Sequence, residues 1–151
     1  MTNILVGDIE ANGLNPTIIW VVGVLDYNTG IFTGYTGDDV PEGLLRLAEA
    51  DVVIGHHFKG YDAKHIERLT EGLVRFDHSK IVDTLELSRR VEPGLKNHKL
   101  ETWGEILGHP KIEFNKFDVY DPKMVPYCQR DCEINAQLFT YLMSRLEENE
   151  A

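Results

Sequence analysis

The sequence predicts an α/β fold, and two observations carry the prediction. Three strand-like segments fill the first 35 residues, and helical and strand-like patterns alternate after them. At 151 residues the chain sits in the usual size range of one domain, so residues 1–151 are expected to form a single unit around one core. Hydrophobic residues make up 42% and charged residues 26%, which excludes a disordered or low-complexity chain.

Residues 4–8 are a short apolar run ending in an Asp, and residues 17–25 (TIIWVVGVL) are too rich in Val and Ile to prefer a helix. Both read as strands. Asn28-Thr29-Gly30 is a turn signal, and IFTGY after it reads as the return strand of an antiparallel hairpin. Pro41 opens a helical pattern, PEGLLRLAEA, with Leu44, Leu45, Leu47 and Ala48 on one side, feeding the buried strand Val52-Val53-Ile54. A second helix is expected around 61–71, a short strand at 80–83, and a helix from Thr84 to Val91 that stops ahead of Pro93. HKLETWGEILG (98–108) suits a helix that aligns Leu100, Trp103 and Leu107 and ends at Gly108 as a C-cap. After a loop at 109–121, Asp121-Pro122 resembles an N-cap with proline at the first helical position. The last helix should run to about Glu147, with Pro126 disturbing its first turn. No repeat or linker divides the chain.

The N-terminus, MTNILVGDIE, lacks a basic stretch followed by an apolar one, and no run approaches the roughly 20 apolar residues that span a bilayer. The protein is expected to stay in the cytoplasm, away from membranes. Cys128 and Cys132 lie one helical turn apart, where a disulfide would close almost no loop, and they read as reduced. A net charge of −10 argues against a basic, sequence-reading DNA binder. It leaves a nuclease open, because divalent cations held by acids supply the positive charge a phosphate meets.

Asp8 and Glu10, two apart at the end of a strand, project to the same face. Such a pair repels itself unless a cation offsets the charge or one member takes a proton. Asp62 lies where an apolar strand gives way to a loop rich in His and Gly, and by itself it reads as a helix N-cap, a role compatible with facing a metal. Tyr127 and Asp131, four apart on the last helix, share one face with Cβ atoms roughly 6 Å apart. Each motif alone has an ordinary explanation: a solvated acidic strand end, a cap, or a partly buried Tyr beside an exposed Asp. Four acids and a Tyr from three segments form a stronger pattern, because hard cations such as Mg²⁺ and Mn²⁺ take oxygen ligands and a pair of them clamps a phosphodiester. His56 and His57 make no recognised zinc spacing with the cysteines, and Trp20 and Trp103 read as core.

In this order DIEANGL (8–14), GHHFKGYD (55–62) and YCQRD (127–131) resemble the DEDD exonuclease superfamily, and in particular its tyrosine subclass, the proofreading domains of family A DNA polymerases. DTLELSR (83–89) and HKLETWGEILG (98–108) are similar to segments of podophage-type polymerases. The resemblance covers nearly the whole chain. It implies a ribonuclease H-like, DnaQ-like fold with a mixed central sheet of about five strands flanked by helices. It also implies metal-dependent 3′-5′ exonuclease activity releasing nucleoside 5′-monophosphates, in the cytoplasm of a bacterial or phage-infected cell. Asp8, Glu10, Asp62 and Asp131 would hold two divalent ions, Mg²⁺ or Mn²⁺, and Tyr127 would orient the attacking water. Pro126 stands where the histidine subclass has its His, five residues before Asp131. Leu14 matches the apolar residue that wedges against the terminal base. His57 stands where the relatives commonly have an Asn in the substrate-contacting loop, with His56 matching their preceding His.

The implied substrate is single-stranded DNA or a frayed 3′ end. No polymerase domain is expected beyond residue 151, so the nuclease is expected either to act alone or to serve a separately encoded DNA polymerase. Two alternatives stand beside this reading. The nearer is an RNA-trimming exonuclease of the same superfamily, since a metal cluster contacts phosphate and the 2′-OH is read by neighbouring groups. The other is a non-catalytic nucleic-acid-binding module, which would gain nothing from carboxylates crowded beside phosphate.

Overall fold

In a computed structural model, which describes residues 2–150, five strands form one mixed sheet in the order β3-β2-β1-β4-β5. The strands are β1 (Ile4–Ala11), β2 (Ile19–Asp26), β3 (Phe32–Thr36), β4 (Val52–Gly55) and β5 (Ile81–Asp83). The first three pair antiparallel, while β1 pairs parallel with β4 and β4 with β5. Crossovers through α1 (Val40–Ala48), and through a π turn (Phe58–Ala63) leading into α2 (Lys64–Leu69), bring the chain back for each parallel strand. The hairpin turn forms as its sequence predicts: Gly30 adopts a positive φ of 76°, and Asp26 Oδ1 accepts from the Asn28 and Thr29 N–H groups.

Period-two alternation sorts β1 between two cores. Leu5 and Ile9 pack with Leu44, Leu47, Phe58 and Ile66 of the α1 and α2 side, whereas Val6 packs with Met124, Cys128 and Cys132 of α5 (Met124–Glu150). The helix α5 runs very close to the sheet because β2 offers it a glycine: a Cβ on Gly23 would stand 2.4 Å from Cys128 Sγ. Both cysteines are fully buried and free. A third cluster, around Trp103 with Val91, Leu138 and Leu142, fixes α3 (Thr84–Val91) and α4 (Leu100–Ile106) on α5. Each of these fully buried aliphatic side chains contributes roughly 1.5–3 kcal/mol.

Three local outcomes differ from the sequence expectations. β1 continues to Ala11, because β2 pairs with it as far as Ala11 and backbone pairing overrides the low strand propensity of Asp and Glu. The helix expected at 61–71 is split into the π turn and the short α2, so Asp62 is no N-cap. The last helix begins at Met124, after a turn in which Asp121 Oδ1 accepts from Lys123 N–H. Pro126 then falls in the first helical turn, where an N–H has no intrahelical partner to lose, and the helix is regular through it. No helix among the described residues is long and apolar enough to cross a membrane.

Candidate active site

β4 pairs with β1 only from Ile4 to Val6, so the stretch of β1 carrying Asp8 and Glu10 runs on beyond its parallel neighbour. The π turn fills the gap. Asp62 sits in it, and its Oδ2 accepts the Ile9 N–H at 3.0 Å, from the backbone between the two β1 acids. On the opposite side α5 crosses under the strand, and Cys128 Sγ lies 3.6 Å from Asp8 Oδ2. One turn along, Asp131 enters the same space, its Oδ2 3.4 Å from Lys111 Nζ. Glu10, Asp62 and Asp131 are only 7%, 4% and 6% exposed.

The electrostatics follow from this crowding. Burial raises the Asp8 carboxyl. Burial and the neighbouring Asp8 charge push Glu10 and Asp62 well above the usual carboxylate range. The same two causes raise Asp131 to about 7. Lys111 is the cation among them: burial works against its charge, but the Asp131 carboxylate outweighs it and holds the ammonium protonated. Lys111 Nζ also stands 5.1 Å from the centroid of the Tyr127 ring, a cation–π contact. That ring packs against Phe114 and Phe117 at 5.9 and 5.7 Å, and burial, with Asp131 nearby, raises its phenol, so Tyr127 is a proton donor at neutral pH. A cavity of about 350 Å³ opens here, with Lys111, Phe114 and Tyr127 on one wall and Glu101 and Glu105 of α4 on another.

Two buried oxygens in this cluster, Glu10 Oε1 and Asp131 Oδ1, have no hydrogen-bond partner. Such atoms are costly unless something else meets them. Asp8, Glu10 and Cys128 place ligand atoms within 4.8 Å of one another. Cys128 is held as a neutral thiol, raised by the adjoining Cys132 and by burial, so the available donors are carboxylate oxygens, the set hard divalent cations prefer. The carboxylate oxygens of Asp8, Glu10, Asp62 and Asp131 are thus a donor set that suits hard divalent cations such as Mg²⁺ or Mn²⁺.

The remaining sequence-predicted residues lie around this centre. Leu14 is 92% exposed, on a loop braced by Asn12, whose Oδ1 accepts from Thr17 and Ile18 N–H, and by the Tyr61 hydroxyl, which donates to the Gly13 carbonyl. His57 is exposed, in the left-handed region with φ 57°, and its N–H donates to Asp83. His56 faces inward: Nε2 meets the His98 carbonyl at 2.7 Å and Nδ1 meets Thr84 Oγ1 at 2.9 Å, so it braces the scaffold and is no ligand. Sequence reasoning missed Lys111, a lone lysine in a segment read simply as loop, with no local pattern to mark it. It also missed Asp83, whose carboxylate takes the N–H groups of His57, Lys59 and Leu85 and so fixes the loop leading to Asp62.

Solved structures with the same fold include Brucella melitensis NrnC bound to pGG, at 19% identity and TM-score 0.76, the match covering 99% of this chain and 76% of that one. Phi29 DNA polymerase with primer-template DNA and incoming nucleotides matches at 10% identity and TM-score 0.66, over 96% of this chain and 32% of the polymerase. Exonuclease X in complex with 5′ overhanging duplex DNA matches at 14% identity and TM-score 0.58, over 93% and 91%. No curated protein matches the sequence. The ribonuclease H-like fold expected from the motifs is thus borne out, and the RNase_H superfamily (RNase_H_2) is matched over residues 5–111, a stretch that includes Asp8, Glu10 and Asp62. The chain belongs to the RNase H superfamily.

Proposed function

We propose that the protein is a divalent-metal-dependent 3′-5′ exonuclease of the tyrosine subclass of the DEDD superfamily, with residues 1–151 acting as one domain. It hydrolyses the terminal phosphodiester of single-stranded or frayed DNA 3′ ends and releases nucleoside 5′-monophosphates. The observation that carries this reading is the group of four carboxylates, three of them buried, two of whose oxygens have no partner. A fold maintains such a group at a cost to its own stability, which makes sense where cations complete it. The bound nucleic acids of the similar structures, pGG, primer-template DNA and overhanging duplex DNA, support the substrate class.

Asp8, Glu10, Asp62 and Asp131 would hold the ions, which when bound lower the pKa of a water and stabilise the leaving 3′ oxygen. Tyr127, protonated and clamped between Phe114, Phe117 and Lys111, donates a hydrogen bond that orients the attacking water. Lys111 balances part of the carboxylate charge from the side of Asp131. Leu14 packs against the terminal base from its braced loop. His57 meets the strand from the opposite loop. In proofreading, the end to be trimmed would come from a DNA polymerase.

Digestion of 5′-labelled and 3′-labelled single-stranded DNA, with matched RNA, in Mg²⁺ or Mn²⁺, tests the proposal. The 5′-labelled DNA should shorten as a ladder from its 3′ end, and EDTA or Asp8→Ala should abolish the cutting. Preferential cutting of RNA would replace the DNA assignment with RNA trimming, and binding without any cutting would overturn the enzyme.

A further inference from the structure

Fifteen Lys and Arg against 25 Asp and Glu leave the chain strongly acidic, so a cavity without carboxylates is unexpected. One of about 610 Å³ opens between the end of β4, α3 and the start of α4, lined by Arg89, Lys96 and Lys99 together with His57, and by no Asp or Glu. All three cations are exposed. Among the described residues none of them pairs with a carboxylate, whereas Lys59, Lys111, Arg130 and Arg145 all do. Three like charges gathered on one wall repel one another unless an anion lies between them.

The wall is rigid. His56 and the His98 carbonyl are joined at 2.7 Å, His98 Nδ1 lies 2.6 Å from Ser88 Oγ, and Trp103 Nε1 donates to Ser88 Oγ at 2.8 Å. The cavity also borders the π turn through His57. The His57 ring lies against Gly60 of the π turn, where a Cβ would stand 2.5 Å from His57 Cε1, and Asp62 follows two residues later in that turn. A ligand in the cavity therefore borders the turn that carries one of the four acids.

We infer that this cavity holds the sugar-phosphate backbone of the substrate strand on the 5′ side of the bond that is cut, with Arg89, Lys96 and Lys99 neutralising phosphates there. The inference rests on the exonuclease reading and adds to it the means by which an acidic protein captures a polyanion: the carboxylates position the reacting phosphate, and a separate basic wall supplies affinity.

The test is fluorescence anisotropy of the full chain with a labelled DNA single strand about twelve nucleotides long, in Ca²⁺ and over a range of salt. The combined variant Arg89→Ala, Lys96→Ala and Lys99→Ala should bind about tenfold more weakly or worse, and its plot of log K against log salt should be shallower by about 2, the slope carried by three phosphate contacts. All three side chains are exposed, so its melting temperature should match that of the native chain. Removing three cations from elsewhere, Lys64, Arg75 and Lys80, should leave the slope unchanged. An unchanged slope in the first variant, or an equal loss in the second, overturns the inference. Cleavage in Mg²⁺ is measured in parallel. A chain that binds through the cavity but cuts nothing defeats the exonuclease reading alone, and one that cuts while the first variant keeps the native slope defeats this inference alone.

Discussion

Two polar clusters lie at strand ends on either side of β4 and are built on opposite terms. Beyond β5, both oxygens of Asp83 are taken by backbone N–H groups, and Thr84, Ser88, His56, His98, Asn135 and Trp103 form a connected hydrogen-bond network. Beyond the β4 pairing of β1, four carboxylates press together, their carboxyls are raised, and two oxygens have no partner. A satisfied buried network rigidifies a fold, whereas a half-satisfied one weakens it. The first cluster therefore reads as scaffold, and the second as a site that a ligand completes.

The largest effect should come from Asp8→Asn, which separates the two properties. Cleavage should fall by about a thousandfold or more, as it does when one member of a concerted catalytic group is removed. The metal-free protein should melt no lower than the native chain, because a like charge has been removed from beside Glu10, Asp62 and Asp131. Single-turnover cleavage and melting in EDTA check both halves, and a drop of several degrees in EDTA would show that the cluster stabilises the fold.

Asp83→Ala is the counterpart in the other cluster. Three N–H groups lose their acceptor, for a cost of about 3 kcal/mol. For a chain of this length that lowers the melting temperature by about 10 °C. A change of a degree or less would remove Asp83 from the scaffold.

The contrast also explains what the sequence could show. That Asp8, Glu10, Asp62 and Asp131 come together was legible from their residue types and spacing, and the five strands were legible because β-branched runs and turn residues mark them. The extension of β1 to Ala11 was not legible, since it depends on pairing with β2 and not on the propensity of Asp8 or Glu10. Nor was the π turn, which leaves Asp62 oriented by Ile9 N–H instead of capping a helix. The scaffold network was invisible because Asp83 and Thr84 are ordinary helix-start residues, and Ser88 an ordinary helix-interior one, until α4 and α5 pack on them. Lys111 was missed for the same reason: its partners are distant in sequence.

Metal and pH sharpen the comparison at the next smaller scale. A carboxyl raised in the folded state favours folding while protonated and penalises it once ionised. For Asp131, moved from 3.8 to about 7, the penalty is absent below about pH 4 and complete above about pH 7. Melting temperature in EDTA should therefore fall as pH rises through this window. Saturating Mg²⁺ or Mn²⁺ should reduce or abolish the fall, because the ions favour the ionised form and bind only the folded chain. The same decline with and without metal would mean that the four acids do not hold it.

The smallest effect concerns a residue in neither cluster. Leu14 is 92% exposed on a loop held by Asn12 and Tyr61, so its side chain adds almost nothing to the core. Leu14→Ala should leave stability within about 0.5 kcal/mol of the native value. If the side chain packs on the terminal base, it gains burial only with substrate, and truncation removes about 1–2 kcal/mol of that contact. That loss corresponds to roughly a tenfold drop in kcat/KM for a single strand. Steady-state cleavage beside a thermal melt checks it. An unchanged kcat/KM would leave Leu14 as a surface residue and place the terminal base elsewhere, whereas the expected split would show binding function in a group that the fold itself does not need.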